Sequence, residues 1–473
     1  MRIAIAMTCA ALLAAGCGDD AGAQPDAARG VDAAAGADAT SADAGVPDTD
    51  IAVVRFTAGG QLDTTFGTSG IAIIDVTTGA GTVRDNAYSV GRDGQDRIVV
   101  FGAAKAATRG DADRFVLRLT AGGQLDTSFG SGGKHILDTS TYVDNQRHGV
   151  VQPDGKILSA GYVGRPTGVG DQNVNTVSLL RLDANGAPDN GFGVYGVAEA
   201  NPFKPADPLT TMWGMCEAYG AAPNGTGYVT TGYGRSAPSG TVDMVSLRFE
   251  ADGTRDLSWG ENGVALLDLV GENDRGRHLV SLADGSVVIV GSGSTSSTNV
   301  DAMVVKLTST GDLDDSFGGG EGYKLYSFGR ADEAFFNASL APDGNSVAAV
   351  GYRAGVTGGA AEDEDGLLLI LPVSGNGAEV AAPAPASETL DDRFWGVAHD
   401  ATGRIYAAGF INDGGDTRFA VTRFSAAGVK DTSFGDGGTA QVNVTTAGTV
   451  ETARAVVVQS DGRIVVVGHV ERR

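Results

Sequence analysis

The feature of this sequence that most limits its fold is an internal repeat of about 60 residues. The phrase QLDTTFGTSG at 61–70 returns as QLDTSFGSGG at 124–133, and four more copies follow as APDNGFGVYG, TRDLSWGENG, DLDDSFGGGE and VKDTSFGDGG. Each copy is preceded by an apolar strand that carries a basic residue near its end, such as IAVVRF, VSLLRL or FAVTRF. A unit this short cannot bury both of its faces alone, so it must be covered by neighbouring units.

A second phrase alternates with the first and is typical of a β-hairpin. Examples are GVVQPDGKILSAG, HLVSLADGSVVIVG and AVVVQSDGRIVVVG. The Asp-Gly pair predicts a two-residue turn, because such turns need positive φ angles. Seven copies are visible, with their turn glycines at Gly94, Gly155, Gly225, Gly285, Gly344, Gly403 and Gly462.

Together the two phrases predict an all-β fold, a seven-bladed β-propeller with four strands in each blade. Radial stacking covers the faces of each blade and leaves few exposed edges. The repeat region opens with two outer strands, at about 52–56 and 71–76, and ends with two inner ones, at about 454–459 and 464–469. We therefore expect a composite closing blade made from both ends.

Two repeats depart from the pattern. One contains the insertion NPFKPADPLTTMWGMCEAYG at 201–220. Another reads LLLILPVSGNGAEVAAPAPAS at 367–387 and has neither the basic residue nor the DTSFG phrase. Either this second repeat is a drifted, weak blade or function has modified the scaffold there.

The alternation of R-L-x-x-x-G-x-L-D-x-x-F-G with x-x-D-G-[KR]-[IV]-[VL] is similar to the delta-60 repeat of uncharacterised bacterial β-propeller proteins. More loosely, it resembles blades of the NHL type. The resemblance covers about residues 51–470, nearly all of the predicted domain. It implies a propeller fold but no reaction or ligand, since a fold alone does not determine function.

The start of the chain is typical of an exported protein. Arg2 is followed by an apolar run that is shorter than the ~20 residues of a membrane-spanning helix, which predicts a cleaved signal peptide at 1–16. The segment LLAAGC resembles a bacterial lipobox and predicts lipidation of Cys17, although an ordinary signal cut would leave a free cysteine there. Residues 17–50 are rich in Ala, Asp, Gly and Pro, which predicts a disordered linker before the propeller at 51–473.

From these features we expect an exported protein that is anchored to a membrane through its N-terminal lipid, at the outer membrane or cell surface rather than free in the periplasm. With 58 acidic and 34 basic residues the formal net charge is −24, which argues against nucleic acid as a partner. Only Cys216 remains in the predicted mature domain, so no disulfide framework is expected. We expect a monomer with no cofactor and no metal, because one cysteine and five scattered histidines do not make a zinc site.

In six of the repeats an acid stands before the predicted inner strand and is followed by Arg, His or an aromatic residue, as in VDNQRHG, ENDRGRHL and LDDRFWG. The start of that strand is expected at one mouth of the central channel. The pattern predicts either a polar pocket with aromatic walls for a sugar or peptide segment, or acid–Arg pairs that join adjacent blades. The candidate ligand-binding rim consists of Asp144, Arg147, His148, Asp274, Arg277, His278, Glu333, Asp392, Trp395 and Glu451.

A second set of residues has a spacing that does not change. A basic residue and an acid stand eight positions apart in six repeats: Arg55 and Asp63, Arg118 and Asp126, Arg181 and Asp189, Arg248 and Asp256, Lys306 and Asp314, Arg423 and Asp431. This regularity predicts a structural pair, either a direct charge-assisted hydrogen bond or an Asp bonded to its own turn and covered by the base. We expect the pair to fix a turn that inserts an aromatic residue between blades: Phe66, Phe129, Phe192, Trp259, Phe317 and Phe434.

The favoured function is a non-enzymatic binding or scaffolding module for a protein or glycan at the cell envelope. An enzyme acting at the channel mouth, a lyase or glycosidase with paired carboxylates, is the alternative, and a purely structural envelope component is a third. No HExxH, GxSxG, P-loop or EF-hand phrase is present in the sequence. An enzyme would need two or three acids facing one pocket, whereas a binding module would present a broad face without them.

Overall fold

The computed structural model describes residues 48–77, 84–105, 110–139, 141–167, 173–204, 214–237, 240–354, 356–357, 360–361, 363–375, 377–412, 414–445 and 449–472. The regular structure of these residues is made of strands alone, which confirms the all-β prediction. Within them no helix has the length and apolar composition needed to cross a membrane. The predicted signal peptide, Cys17, most of the linker and residues 205–213 of the insertion lie outside the described part.

The strands of the described residues form seven four-stranded antiparallel units. The innermost strands are β3 (Arg84–Arg92), β7 (Asp144–Val151), β11 (Cys216–Asn224), β15 (Asp274–Ser281), β19 (Asp332–Leu340), β25 (Asp391–His399) and β29 (Glu451–Val458). The second strands are β4 (Ile98–Lys105), β8 (Ile157–Pro166), β12 (Gly227–Gly234), β16 (Val287–Ser296), β20 (Ser346–Ala354), β26 (Ile405–Asn412) and β30 (Ile464–Arg472).

The outer half of each unit also consists of two strands. The third strands are β5 (Asp113–Leu119), β9 (Asn173–Leu182), β13 (Asp243–Phe249), β17 (Asn299–Leu307), β23 (Asp365–Pro372), β27 (Thr417–Phe424) and β1 (Asp48–Phe56). The outermost are β6 (Lys134–Leu137), β10 (Val197–Ala200), β14 (Val264–Leu267), β18 (Tyr323–Tyr326), β24 (Val380–Pro383), β28 (Thr439–Val442) and β2 (Ile71–Ile74). A small extra hairpin joins β21 (Val356–Thr357) to β22 (Ala360–Ala361).

The units are arranged in a closed ring. Each innermost strand contacts the innermost strands of the units before and after it, and β29 contacts β3. The apolar core lies between neighbouring units: Phe101 of one unit and Ile157 of the next, for example, belong to one buried cluster. This is the β-propeller that the repeats predict, and we call each four-stranded unit a blade.

The closing blade combines the two ends of the repeat region, as the sequence predicts. β1 pairs with β30 over nine residues, from Asp48 with Arg472 to Phe56 with Ile464. β30 pairs on its other side with β29, and β1 pairs with β2. Main-chain hydrogen bonds between the start and the end of the domain therefore hold the ring closed.

Most hairpin turns differ from the two-residue type that Asp-Gly predicts, although in the third blade Asn224 pairs with Gly227 across a two-residue turn. At Gln152–Lys156 the N–H of Gly155 donates to the carbonyl of Gln152, and only the glycine has a positive φ, of 85°. Asp154 accepts the N–H of Lys156 through its side chain instead of adopting a positive φ. A type I turn followed by one left-handed glycine also matches the twist of the strands, which is why the prediction of two positive angles was wrong for this turn.

The six basic–acid pairs are formed, and we call each one a fastener. Their N–O distances are 2.8 Å for Arg55–Asp63, Arg118–Asp126, Arg181–Asp189, Lys306–Asp314 and Arg423–Asp431, and 3.1 Å for Arg248–Asp256. In the second fastener, Oδ1 of Asp126 also accepts the N–H of Ser128. Nη1 of Arg118 reaches the carbonyl of Ala184 in the next blade at 2.6 Å. One guanidinium therefore fixes its own turn and joins two blades.

An aromatic residue follows each fastener acid and is buried between blades. Phe129 is fully buried beneath the guanidinium of Arg118, whose Cζ lies 4.7 Å from the ring centroid. The ring packs against Gly186 of the next blade, where a Cβ would lie 2.8 Å from it. Gly186 also has a φ of +84°, so both space and conformation require glycine there.

The divergent repeat at 367–387 still supplies β23 and β24, which pair in register from Leu367 with Pro383 to Ile370 with Val380. It lacks a fastener, but its buried face is apolar, since Leu367 and Leu369 belong to the core between this blade and the previous one. Apolar packing thus preserves the four-stranded unit where the fastener residues are absent.

Candidate functional site

Each of the seven innermost strands contains one β-bulge. In β7, for example, the pairing with β8 jumps between Gln146 and His148, which leaves Arg147 without a partner in the ladder. A bulge of this kind bends the strand and redirects the side chain of the extra residue. The seven bulge residues are Tyr88, Arg147, Tyr219, Arg277, Phe336, Trp395 and Arg454.

The bulge residues of consecutive blades contact one another, and we call them the central ring. Cζ of Arg147 lies 5.8 Å from the ring centroid of Tyr88 and 4.4 Å from that of Tyr219. Arg277 lies 5.0 Å from Tyr219 and 5.8 Å from Phe336. The central ring therefore alternates cationic and aromatic groups on this side.

The next two contacts continue around the channel. The rings of Phe336 and Trp395 are stacked with their centroids 4.1 Å apart, and Cζ of Arg454 lies 3.9 Å from the Trp395 ring. Trp395 and Arg454 are each only 8% exposed, whereas Phe336 and the bulge residues of the first four blades are half-buried. The accessible part of the central ring thus lies on blades one to five.

The electrostatics of Arg147 favour a fixed positive charge. Burial alone would lower its pKa, but Tyr219, Tyr162, Tyr88 and Glu217 outweigh that effect and hold the pKa well above its ordinary value. Guanidinium groups keep their charge and stack well on aromatic faces. The central ring contains three arginines and is locally positive, although the chain as a whole has a net charge of −24.

The acids predicted for the rim have a different task. Asp144, Asp274, Glu333, Asp392 and Glu451 are all fully buried. Their carboxylates accept main-chain N–H groups of the loop that leads into their own strand. Oδ2 of Asp144 accepts from Thr139 at 2.6 Å, and the carboxylate of Glu333 accepts from Phe328 at 2.7 Å and Arg330 at 2.8 Å.

These carboxylates cap loops and do not line an open surface, so they do not pair with the Arg residues of the rim. Asp85 of the first blade does the same, accepting from Val76 at 2.6 Å. Burial raises the pKa of Asp85 and of Asp274 to about 6, and that of Asp392 to about 7, against the lowering effect of these hydrogen bonds. The third blade has Cys216 at this position, a buried free thiol whose pKa is raised by burial.

The two predicted rim histidines contact each other across the third blade. Nε2 of His148 and Nε2 of His278 are 3.0 Å apart, and Nδ1 of His148 lies 3.0 Å from the carbonyl of Ala221. Nδ1 of His148 also lies 3.3 Å from the N–H of Ala221, and one of the two Nε2 atoms must donate to the other. Gly220 allows this approach, because a Cβ there would lie 3.0 Å from Cα of His278.

Both histidines are neutral at physiological pH. Burial lowers the pKa of His148 to about 4, and burial together with the neighbouring His148 lowers the pKa of His278 well below its ordinary value. Each histidine directly follows a bulge arginine in sequence. The pair therefore helps to set the positions of Arg147 and Arg277 on either side of the third blade.

Replacing His148 with Gln should make folding less sensitive to acid. Because the pKa of His148 is about 4 in the folded state and about 6.5 when unfolded, its contribution to stability is present above pH 6.5 and is lost as the pH falls towards 4. Between about pH 7.5 and about pH 4.5 the parent should lose about 2 kcal/mol more unfolding free energy than the variant. Urea unfolding at the two pH values measures this difference.

The raised pKa values of Asp85, Asp274 and Asp392 act in the opposite direction, adding stability as the pH falls. They are present in both proteins and cancel in the comparison. Parent and variant curves that run parallel over the whole range would show that His148 does not have the depressed pKa.

Among the residues that the structure describes, two triads of aspartates have a chemistry that suits a metal ion. One oxygen from each of Asp50, Asp75 and Asp85 lies within 4.8 Å of the others, and Asp113, Asp138 and Asp144 repeat this arrangement one blade further on. Carboxylate oxygens are the ligands that Ca²⁺ prefers. Acidic groups also cluster without an ion, so the spacing alone assigns none.

The structure brings together part of the predicted rim. Arg147, Arg277 and Trp395 lie in the central ring, His148 and His278 lie behind it, and the five acids are buried in loop caps. The acid-based sequence pattern did not identify four other members of the central ring, Tyr88, Tyr219, Phe336 and Arg454. They occupy the same repeat position, three residues after the acid or after Cys216, so an alignment of the inner strands would have identified them.

Five segments of the chain match the sequence profile of a family described as a domain of unknown function (DUF5122) beta-propeller. They are residues 39–66, 96–129, 152–192, 282–317 and 401–434. The matched segments contain fasteners and hairpin turns, which supports a bacterial β-propeller repeat family. No curated protein sequence matches the chain.

Several solved structures are similar in fold. The WD40 domain of Pan2 from Neurospora crassa has 9% sequence identity over 81% of this chain and 88% of that chain, with a TM-score of 0.40. Polysaccharide lyase Uly1 has 10% identity over 89% and 98%, with a TM-score of 0.42. A protein of unknown function from Dyadobacter fermentans has 13% identity over 82% and 95%, with a TM-score of 0.37. These likenesses concern the fold alone.

Proposed function

We propose that this β-propeller is a non-enzymatic binding module of the cell envelope, and that its ligand, a glycan or a protein segment, contacts the central ring. One observation carries the proposal. All seven blades place a bulge residue at the centre, and the seven residues are chemically varied but confined to arginine and aromatic types. Arginine, tyrosine and tryptophan dominate the energetics of recognition surfaces.

A purely structural role would leave a different pattern. The fasteners perform one task in six blades and keep almost the same residues each time, a basic group, an aspartate and an aromatic ring. The bulge position keeps its geometry but changes its residue from blade to blade. Half-buried arginines also add little to stability. The free energy needed to desolvate their charge offsets much of the free energy gained from their contacts.

The alternative enzyme requires paired carboxylates facing a substrate. The six acids that precede the central ring are fully buried, and each accepts main-chain hydrogen bonds. A general acid or nucleophile must reach the reacting atoms directly or through one water. These carboxylates cannot do so in this conformation, which favours binding over catalysis.

Glycan and peptide arrays probed with the full chain test the proposal. We expect a ligand class that binds the parent and binds the Tyr88→Ser variant about tenfold more weakly, because Tyr88 is a half-buried member of the central ring. Tyr195→Ser is the matched control, since Tyr195 is 79% exposed at a turn before an outermost strand, and its signals should equal those of the parent. Hits unaffected by Tyr88→Ser would contradict the central ring as the site, and cleaved glycans would make the protein an enzyme.

A further inference from the structure

The third blade holds two guanidinium groups against one aromatic ring. Cζ of Arg147 and Cζ of Arg277 lie 4.4 Å and 5.0 Å from the ring centroid of Tyr219, so the two carbons are at most about 10 Å apart. The histidine pair behind them joins the strands that carry both arginines. The fold therefore fixes the spacing of the two strands, and stacking on Tyr219 places the two guanidinium groups.

The guanidinium of Arg147 is half-buried and is held by stacking on aromatic rings. Its guanidinium carbon is also 5.4 Å from the ring centroid of Tyr162, so aromatic groups cover it on several sides. The Nε atom of Arg147 is buried and has no hydrogen-bond partner among the described residues. Stacking satisfies the faces of a guanidinium but none of its N–H donors, which suit a planar carboxylate.

The charges around this arrangement favour an anion as ligand. Two positive charges held close together repel each other, and a negative group between them removes the repulsion. Glu217 lies near Arg147 and favours its charged form, but it is only 1% exposed, and Oε1 accepts a hydrogen bond from Asn175. Its burial and this bond hold Glu217 beneath the surface of the central ring, so a carboxylate that contacts both arginines from the channel would come from a ligand.

The surface between the arginines suits a sugar. It consists of the half-buried Tyr219, whose hydroxyl lies 3.0 Å from the hydroxyl of Tyr233, flanked by the half-buried Tyr88 and Phe336. Aromatic rings pack against the C–H faces of a saccharide, and the hydroxyl groups can exchange hydrogen bonds with it. The apolar side chains of a peptide would instead need aliphatic pockets. The bulge residues on this surface are all aromatic or charged.

We propose that Arg147 and Arg277 bind the carboxylate of an acidic sugar at the edge of Tyr219. This deepens the function proposed above and rests on it, since it names the ligand class of the same site. The carboxylate accepts hydrogen bonds from both guanidinium groups, and the sugar ring lies against Tyr219 and Phe336. A neutral sugar of the same shape lacks the group that the two arginines recognise.

Titration calorimetry with the full chain tests this inference, with a short oligogalacturonate and its fully methyl-esterified form as probes. The esterified form keeps the sugar rings but has no carboxylate. We expect the acid to bind the parent at least about tenfold more tightly than the ester. Arg147→Gln and Arg277→Gln should each weaken the acid about tenfold and leave the ester unchanged. Arg463→Gln, at a half-buried arginine of a hairpin turn that pairs with Asp63 and Asp461 and not with the central ring, should bind both probes like the parent.

Further arms separate the possible failures. Arg147→Lys keeps a charge without the planar fork and should give an intermediate affinity, and unfolding midpoints equal to that of the parent show that the variants are folded. Equal binding of acid and ester, or no binding of the acid, would overturn the acidic sugar. Arginine-dependent binding of a peptide with a free terminal carboxylate, and not of its amide, would also overturn it. In these cases an array hit that depends on Tyr88 would leave the binding function standing.

Discussion

A chain that ends after Val450 should fail to fold. It would lack β29 and β30. All nine residues of β1 that pair with β30 would lose that partner. It would also lose Ile464, Val465, Val466 and Val467, which are fully buried. Each such side chain contributes about 1.5–3 kcal/mol, so the loss is comparable with the whole ~5–15 kcal/mol stability of a typical domain. Circular dichroism and urea titration should show no cooperative transition.

A chain that ends after Val470 is the matched control. It removes only the last residues of β30 and keeps Val470, which is 1% exposed, in the core with β1. This chain should unfold cooperatively near the urea concentration of the parent. A cooperative transition in the chain that ends after Val450 would show that the composite blade does not close the ring.

Removal of one fastener partner should have the second large effect. Arg118 and Asp126 are 2% and 12% exposed, and Arg118 also bonds the carbonyl of Ala184 in the next blade. Breaking a buried pair on one side leaves a charge without compensation and typically costs about 3–5 kcal/mol. Asp126→Ala should therefore lower the melting temperature by several degrees while ligand affinity stays that of the parent. Differential scanning calorimetry and the array signals measure the two effects.

The fastener of the third blade provides an internal comparison. Arg248 is 24% exposed, and its distance to Asp256 is 3.1 Å, longer than in the other fasteners. Solvent screens a pair of this kind, so Asp256→Ala should cost about 1 kcal/mol or less. Equal losses at the two sites, or an Asp126→Ala variant as stable as the parent, would mean that the pairs do not fasten blades.

The repeat made the fold predictable, because the sequence patterns of the strands and turns follow one another in the same order in each blade. The composite blade followed from which strands come first and last, and β1 pairs with β30 as expected. The geometry of the hairpin turns was harder to predict from the sequence, because Asp-Gly is compatible with several hairpin types. Only the hydrogen bond from Gly155 to Gln152 distinguishes a type I turn with one left-handed glycine from a two-residue turn.

The site was predictable only in part. Arg147, Arg277 and Trp395 were found because they follow an acid, yet that acid caps a loop through main-chain groups that a sequence does not display. The bulge that directs these side chains inward adds one residue to the strand, and strand alternation alone does not locate it. The His148–His278 contact crosses a whole blade at Gly220, and no local pattern predicts a contact between strands that are not neighbours in the chain.

The pairing of β1 with β30 also determines when the domain can finish folding. Its paired residues are separated by about 420 positions in the chain. At about 5–20 residues per second of synthesis, β30 follows β1 after roughly 20 to 80 seconds. During that time the intervening blades can form against their neighbours, while β1 has an open edge and half of the last core has no cover. Closure of the ring is therefore the last step in the folding of this domain, and until it occurs the open edge of β1 exposes the chain to aggregation.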